Sequence, residues 1–470
     1  MDAVLISFNK ILSVCNDFLY SKFLIILLIG AGLYFTIRSR FVQLRLLPEA
    51  CRVVTEGSHT EGGMSSFQAL MIATASRVGT GNIAGVATAL VLGGPGALLW
   101  MWIMCIIGGA SAFVESTLAQ VYKEKDGSIF RGGPAYYIQK ALGQRWLGVL
   151  FAVLLILTFA FGFNGLQAYN ITSSFEYYVP GFADSHVPMI IGLILAAASA
   201  FLFFGGAHKI SIVSSILVPI MAIIYILIGI AIFIIKIDVL PAAMSLVFEE
   251  AFDFKTIFGG FAGSCMVLGI KRGLFSNEAG MGSAPNAAAS ADVSHPAKQG
   301  LVQVLSVFID TLLICSTTAF IVLLTGQYEV GGPLNGIPLV QQSVATVFGE
   351  TGIHLVTIGI CLFAFTSLIG NYFYAEANIR FISENKRFLL VFRILAVLMV
   401  FAGAQADLSL AWNLADVIMG GMATVNVISI LLLGGVAMKV LKDYQQQKAQ
   451  GLNPVFHAEK LGIRKTDCWK

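Results

Sequence analysis

Apolar residues along this chain come in long runs, separated by short polar or Gly/Pro-rich breaks. A helix needs about 20 apolar residues to cross the hydrocarbon core of a bilayer. Runs of that order lie near residues 20–38, 66–92, 97–122, 147–172, 187–205, 210–236, 257–290, 301–325, 353–380, 387–405 and 409–438. The pattern predicts an all-α membrane protein of eleven transmembrane helices. The expected organisation is an N-terminal helix with a basic cytoplasmic loop (1–63), a first five-helix unit (64–236), a second five-helix unit with an outer loop (237–440) and a cytoplasmic tail (441–470). The outer loop should carry a short amphipathic helix within 331–349, and the Lys/Gln-rich tail after Leu441 should be a cytoplasmic helix end followed by disorder.

The basic residues orient the spans. With the N-terminus outside, 24 of the 29 Lys and Arg fall on the inner side, among them Lys271, Arg272 and Lys298. Only Lys10, Lys22, Lys236 and Lys255 fall outside, and Arg77 lies within a span. The positive-inside rule therefore predicts a multi-pass protein of the cell inner (plasma) membrane with a cytoplasmic C-terminus.

Composition agrees. With 57% hydrophobic and 12% charged residues, the chain lacks the roughly 25% charged content of a soluble protein, so membrane lipid is its expected surrounding. The net charge of +3 is not pooled in a patch, and no nucleic-acid partner is expected. The seven cysteines are scattered without a C-x-x-C pair, which predicts neither a disulfide framework nor a Cys/His metal site. The six histidines sit in loops or at run ends, and no H-E-x-x-H or G-x-S-x-G is present, which argues against an intramembrane enzyme. No filter loop or charged ring suggests a channel. The start, MDAVLISFNK, places Asp2 where a removable signal peptide would carry basic residues, and none is expected.

Two runs are interrupted. The second holds Val78-Gly79-Thr80-Gly81-Asn82 at bilayer depth, and the seventh holds Gly269 and Gly273 flanking two basic residues. Both are expected to unwind there. Irregular backbone at membrane depth lines a cavity, because its polar groups need partners. Glycine also serves close helix packing, but the two breaks occupy matching places. They are five spans apart, which predicts two inverted repeats whose first helices are discontinuous, the arrangement of many secondary transporters.

Three segments then become recognisable: Val78–Ala87 (VGTGNIAGVA), Gly132–Tyr137 (GGPAYY) and Phe275–Pro285 (FSNEAGMGSAP). They resemble the alanine/glycine:cation symporter family, and the resemblance extends from the first run through the eleventh. It implies a LeuT-like inverted-repeat fold with one extra N-terminal helix. It also implies symport of alanine or glycine with sodium as the coupling ion and no organic cofactor. A proton-coupled carrier of another small solute is the alternative.

The substrate would be a zwitterion in a dry place. The amide groups of Thr80, Gly81 and Asn82, at the positive end of the second half-helix, are candidates for its carboxylate. Carbonyls near Ser76, Arg77 and Val267 to Gly269 are candidates for its ammonium. Asn164 and Gln167 lie on one face of the fourth run and serve either substrate or interhelical bonding, with Gln167 favoured by the resemblance. Phe163 is a candidate pocket cap. The resemblance to the LeuT-like fold further implies a sodium site of the Ala75, Val78 and Phe363 carbonyls with the Thr366 and Ser367 hydroxyls, although such hydroxyls also bond their own helix backbone. Among intramembrane ionisable groups, Arg77 is expected to pair with an acid, Asp310 ahead of Glu376 or Glu115, as an inner gate or a static charge pair.

Overall fold

The computed structural model describes residues 14, 16, 18–58, 60, 63–126, 129–252, 264–405 and 408–469. Asp2, Lys10, Cys15, His59, Asp253, Lys255, Lys470 and the 257–263 stretch of the seventh run lie outside the described residues.

The described chain is mostly helical, with one small antiparallel hairpin, β1 (Glu124–Asp126) and β2 (Ile129–Arg131). The helices that matter for the site are α1 (Leu24–Arg38), α2 (Leu47–Val54), α3 (Ser66–Arg77), α4 (Val86–Gly93), α5 (Ala97–Val121), α6 (Pro134–Ala141), α7 (Arg145–Ile156) and α8 (Asn164–Ser173). They are followed by α9 (Val187–Phe203), α10 (Gly206–Ile235), α11 (Leu240–Ala251), α12 (Cys265–Asn277), α13 (Pro285–Ser290) and α14 (Pro296–Phe308). The chain continues through α15 (Ser316–Thr325), α16 (Gly336–Phe348), α17 (Glu350–Ile382), α18 (Lys386–Gly403) and α19 (Leu408–Ala449). Wider π turns join α7 to α8 and α14 to α15, so each pair forms one rod. Six rods among the described residues are long and apolar enough to cross a membrane, and Leu24–Arg38, Gly81–Gly93 and Val187–Phe203 are shorter apolar helices.

The contrast between α5 and α10 shows how the sequence sorts inside from outside. Gly108 and Gly109 let neighbours come close to α5: a Cβ on Gly108 would lie 3.0 Å from Ala279, and one on Gly109 would lie 3.3 Å from Gln43. Helices α14, α12 and α1 pack against it, and nearly all its residues are buried. In α10, Ile216, Ile220, Ile223, Leu227 and Ile234 are exposed at helical spacing, the apolar stripe of a helix that faces hydrocarbon.

The second run breaks where its glycines predict. Helix α3 starts from a capping box of Ser65 and Gln68 and stops at Val78 (φ −79°, ψ 88°), and the chain resumes as a π turn over Gly81–Gly85 leading into α4. The seventh run corrects the expectation. Helix α12 passes unbroken through Gly269 and Gly273, and the break falls at residues 278–284, where Glu278, Gly280 and Gly282 have φ of +55°, +81° and +88°. Gly269 serves close packing: a Cβ there would lie 2.8 Å from Trp100 Cβ of α5. Lys271 and Arg272 consequently sit inside the bundle rather than in an inner loop. Lys271 Nζ lies 2.6 Å from Asp416 and Arg272 Nη1 3.7 Å from it.

The tail is a second correction. Helix α19 runs to Ala449, and residues 450–469 then fold back across one end of the bundle. The Phe456 amide donates to Ser294 O and the Ser294 hydroxyl to Pro454 O, while the Trp469 indole donates to Gln120 O. Lys123 packs over the rings of Phe130 and Trp469, and burial pushes its ammonium down to about 8. The opposite end is closed by α16, in the place expected for the amphipathic helix. There Gln341 donates to Ser174 O and the Gly331 amide to Val91 O.

Candidate functional site

Breaking α3 redirects its last hydrogen bonds. In a continuous helix the Gly79 amide would close on Ala75 O and the Asn82 amide on Val78 O. Here the Gly79 amide donates to the Asn82 side-chain oxygen (2.9 Å), and the Asn82 amide donates to Gly79 O (3.2 Å). The Ala75 and Val78 carbonyls are thereby released from the helical ladder, and both turn to one hydroxyl of α17. Ser367 Oγ lies 2.9 Å from Ala75 O, 3.4 Å from Val78 O and 3.1 Å from Phe363 O. Thr366 Oγ1 donates to the same Phe363 O (2.9 Å). With Thr366 already on Phe363 O, the Ala75 and Val78 carbonyls are left to share the single hydrogen of Ser367. The excess of neutral oxygen over hydrogen is what a hard monovalent cation needs. All five sodium-site residues read from the sequence, Ala75, Val78, Phe363, Thr366 and Ser367, therefore meet.

The amide-rich side of the break lies next to this cluster. The Thr80 amide donates to the Gln167 side-chain oxygen of α8 (3.2 Å), which stands where a carboxylate oxygen would bind. A Cβ on Gly79 would overlap the Ser367 hydroxyl and lie 3.0 Å from Gln167 Nε2. A Cβ on Gly81 would lie 2.6 Å from the Phe275 ring. Phe275 is edge-on to Phe163, with centroids 4.7 Å apart, and Phe163 leans on Phe159. Thr80, Gln167, Phe163 and Phe275 are all buried, so the site is shut off from both ends.

The second break presents a complementary surface. The Ala279 amide turns to the Asn277 side chain (3.0 Å) and the Gly280 amide to Glu115 of α5 (3.2 Å). The last carbonyls of α12, around Ser276, thus lose their ladder partners at the negative end of that helix. This corrects the assignment of Val267 and Gly269. They belong to the first half of α12, about 12–15 Å from its end by helical rise, and Gly269 faces α5.

Asn82 is a clamp. Its oxygen holds the Gly79 amide, and its nitrogen donates to Asp310 (2.7 Å). Asp310 also accepts from Ser276 (2.7 Å) and Thr311 (3.1 Å), so this carboxylate ties one break to the other and does not pair with Arg77. Arg77 is buried and donates from Nη1 to Gln303 (3.0 Å), while its Nε and Nη2 have no hydrogen-bond partner among the described residues. Glu376 binds Arg380 (2.8 Å), Arg393 (3.2 Å) and Tyr372, away from Arg77. Asn164 accepts from Asn371 (3.0 Å), whose oxygen accepts from Ser76 (2.7 Å). Ser76 also lies 3.0 Å from Glu278, so Asn164 belongs to a polar chain linking α8, α17, α3 and the second break. Sequence reasoning missed Phe275, Ser276, Glu278, Gln303 and Asn371. Only the first three had a signal, the FSNEAGMGSAP segment itself.

The chain matches the sodium:alanine symporter family over residues 5–458. It is 46% identical over 465 residues to an amino-acid carrier protein, AlsT, of Bacillus subtilis (strain 168), covering 98% of each chain. It is 47% identical over 469 residues to a probable sodium/glutamine symporter, GlnT, of the same organism, covering 98% of this chain and 96% of the other. Among solved structures it is similar to MhsT in complex with L-phenylalanine, with a TM-score of 0.57 at 14% identity, over 81% of this chain and 98% of that one. That likeness is one of fold, the LeuT-like fold.

Proposed function

Because this chain belongs to the sodium:alanine symporter family, we propose that it carries alanine or glycine into the cell together with sodium, by alternating access. It is a sodium-coupled amino-acid symporter and a multi-pass membrane protein, not an enzyme. The proposed frame is eleven spans in the inner membrane, one N-terminal helix followed by two inverted five-helix repeats opening on α3–α4 and α12–α13, with the C-terminal tail in the cytoplasm.

The observation that carries the proposal is the convergence of the released Ala75 and Val78 carbonyls on Ser367, on the same break that turns the Thr80 amide to Gln167. Sodium would take the Ala75, Val78 and Phe363 carbonyls with the Thr366 and Ser367 hydroxyls. The substrate carboxylate would displace the Gln167 oxygen from the Thr80 amide and reach Gly81. The ammonium would meet the carbonyl end of α12 near Ser276. Both ligands thus share the α3 break: sodium draws α17 onto it, and that ordering is the coupling. The Phe163 and Phe275 rings close tightly against Gly81, and this crowding favours the short side chain of alanine or glycine over the glutamine named for the Bacillus relative.

The test is uptake of labelled alanine and glycine into proteoliposomes under imposed sodium or proton gradients, with glutamine as competitor. Uptake driven by sodium and inhibited poorly by glutamine is expected. Uptake driven only by protons, or absent for both substrates, overturns the proposal.

A further inference from the structure

At the tail end of the bundle, away from the substrate site, a cavity of about 510 Å³ lies where β2, the turn after α9, the end of α17 and the start of α18 come together. Arg131, Arg380, Lys386 and Arg393 line its polar part, and Phe204 and Leu390 its apolar part. We propose that this cavity binds the headgroup of an anionic phospholipid, with the acyl chains lying along the outer faces of α9 and α18.

Charge is the first reason. Arg131 pairs with Glu384, and Arg380 and Arg393 share Glu376. The lining holds four cations and one carboxylate, Glu384, with Glu376 behind Arg380 and Arg393, at the lip of an apolar bundle. Such a cluster costs free energy unless an anion joins it. The local backbone sharpens this. Lys386 and Arg387 occupy the first turn of α18, where the helix dipole already disfavours positive charge and favours a phosphate. Basic pockets between helices at one membrane face are the usual seats of acidic lipid headgroups.

Shape is the second reason and separates a lipid from a free anion. Helices α9 and α18 pack side by side, and from the cavity their outward residues, Phe201, Phe204, Leu390, Ile394 and Leu398, continue as an exposed apolar face. A phosphodiester held by the cations therefore has a hydrocarbon path leading from it. A zwitterionic headgroup would bring its own ammonium into a field of four cations. A second cavity of about 340 Å³ shares Arg131, Arg380 and Glu384 and adds Arg145 and Glu124, which gives room for the rest of a bulky headgroup without adding to the net charge.

The position gives the lipid a consequence. Helix α17 carries Thr366 and Ser367 near its middle and Arg380 in its last turn, about 20 Å further along the same rod by helical rise. A headgroup gripping Arg380 and Arg393 fixes the end of the helix that supplies the sodium-site hydroxyls. The inference needs only that the chain spans a membrane, not the substrate assignment.

The experiment uses purified full-length protein and native mass spectrometry, with phosphatidylglycerol, phosphatidylcholine or inorganic phosphate added, and thermal unfolding followed in parallel. Retention of phosphatidylglycerol at least tenfold above phosphatidylcholine is expected, together with a raised melting temperature that inorganic phosphate does not reproduce. The double variant Lys386→Gln/Arg380→Gln should lose at least fivefold in retention, as should Lys386→Glu at its exposed position, while Lys386→Arg keeps it. Equal retention of the two lipids overturns the proposal, as does undiminished retention in Lys386→Glu. Inorganic phosphate that matches the lipid's effect shows a free-anion site and overturns it too. Sodium-driven uptake in vesicles with and without phosphatidylglycerol keeps this outcome separate from failure of the transport assignment.

Discussion

Ser367 lies at the centre of the proposed sodium site, because its oxygen is where the α3 break and α17 meet. Removing it deletes one ligand and leaves two buried carbonyls without a partner, a loss of about 1–3 kcal/mol. Ser367→Ala should therefore raise the sodium concentration for half-maximal uptake roughly tenfold or more, while substrate saturation at high sodium changes less. An unchanged sodium dependence would remove Ser367 from the cation site. Gly81 tests the neighbouring surface. A methyl group there meets the Phe275 ring at 2.6 Å, and overpacking of this kind costs about 1–3 kcal/mol. Gly81→Ala should lower uptake at least several-fold, and Gly81→Ala combined with Phe275→Leu should recover part of it. If the second change brings nothing back, the loss lies in backbone conformation rather than in the ring contact.

At the scale of elements, the tail strap makes stability depend on pH through His295. This residue caps α14: its Nδ1 accepts the Ala297 amide (3.2 Å), and its Nε2 faces Asp443 (3.1 Å). The rings of Tyr444 and Phe456 close over it, and Lys298, paired with Glu56, stands one turn on. A second proton would occupy Nδ1 and destroy the cap. Burial likewise holds the imidazole below its ordinary range, against the pull of Asp443. The folded state thus binds this proton less readily than the unfolded state, so stability is full above about pH 6.5 and falls as pH drops below it. His295→Asn, which keeps a capping oxygen, should flatten the melting temperature between pH 5 and 7 (about the range of histidine titration). A slope as steep as that of the wild type would place the titrating group elsewhere.

The same elements show what the sequence could and could not disclose. The first break was legible because Gly79 and Gly81 both serve it. The second was misplaced because glycine does two jobs in that run: Gly269 admits α5, whereas Gly280 and Gly282 supply the positive φ values of the actual break. Pro285 at the first position of α13 marked the restart, but the charged pair Lys271 and Arg272 drew attention away. Their partner, Asp416, is more than 140 residues away in sequence, and pairing of that kind leaves no local trace. The tail was misread for a related reason. Its Lys and Gln content suggests a solvated segment, but three apolar anchors, Pro454, Phe456 and Trp469, decide its path.

For the molecule as a whole, orientation follows from which end carries the cations. The tail end gathers Arg52, Lys123, Arg131, Lys140, Lys298, Arg380 and Lys448, several of them tied to Asp467 of the tail, to Glu49 and Glu56 at α2 or to Glu376 of α17. The opposite end presents Tyr177, Tyr178, Glu350 and His354 to each other. Returning Lys271 and Arg272 to the bundle interior leaves this asymmetry in place, because both lie against Asp416 near the start of α19 and away from either end. Translocating a loop that carries several cations is disfavoured, so the tail end should face the cytoplasm and the tyrosine-rich end the exterior. In a cysteine-free background, Tyr177→Cys should react with a membrane-impermeant maleimide in intact cells. Lys460→Cys, exposed on the strap, should react only after permeabilisation. The reverse pattern would invert the molecule, and the sodium gradient would then meet the site from the side that the strap covers.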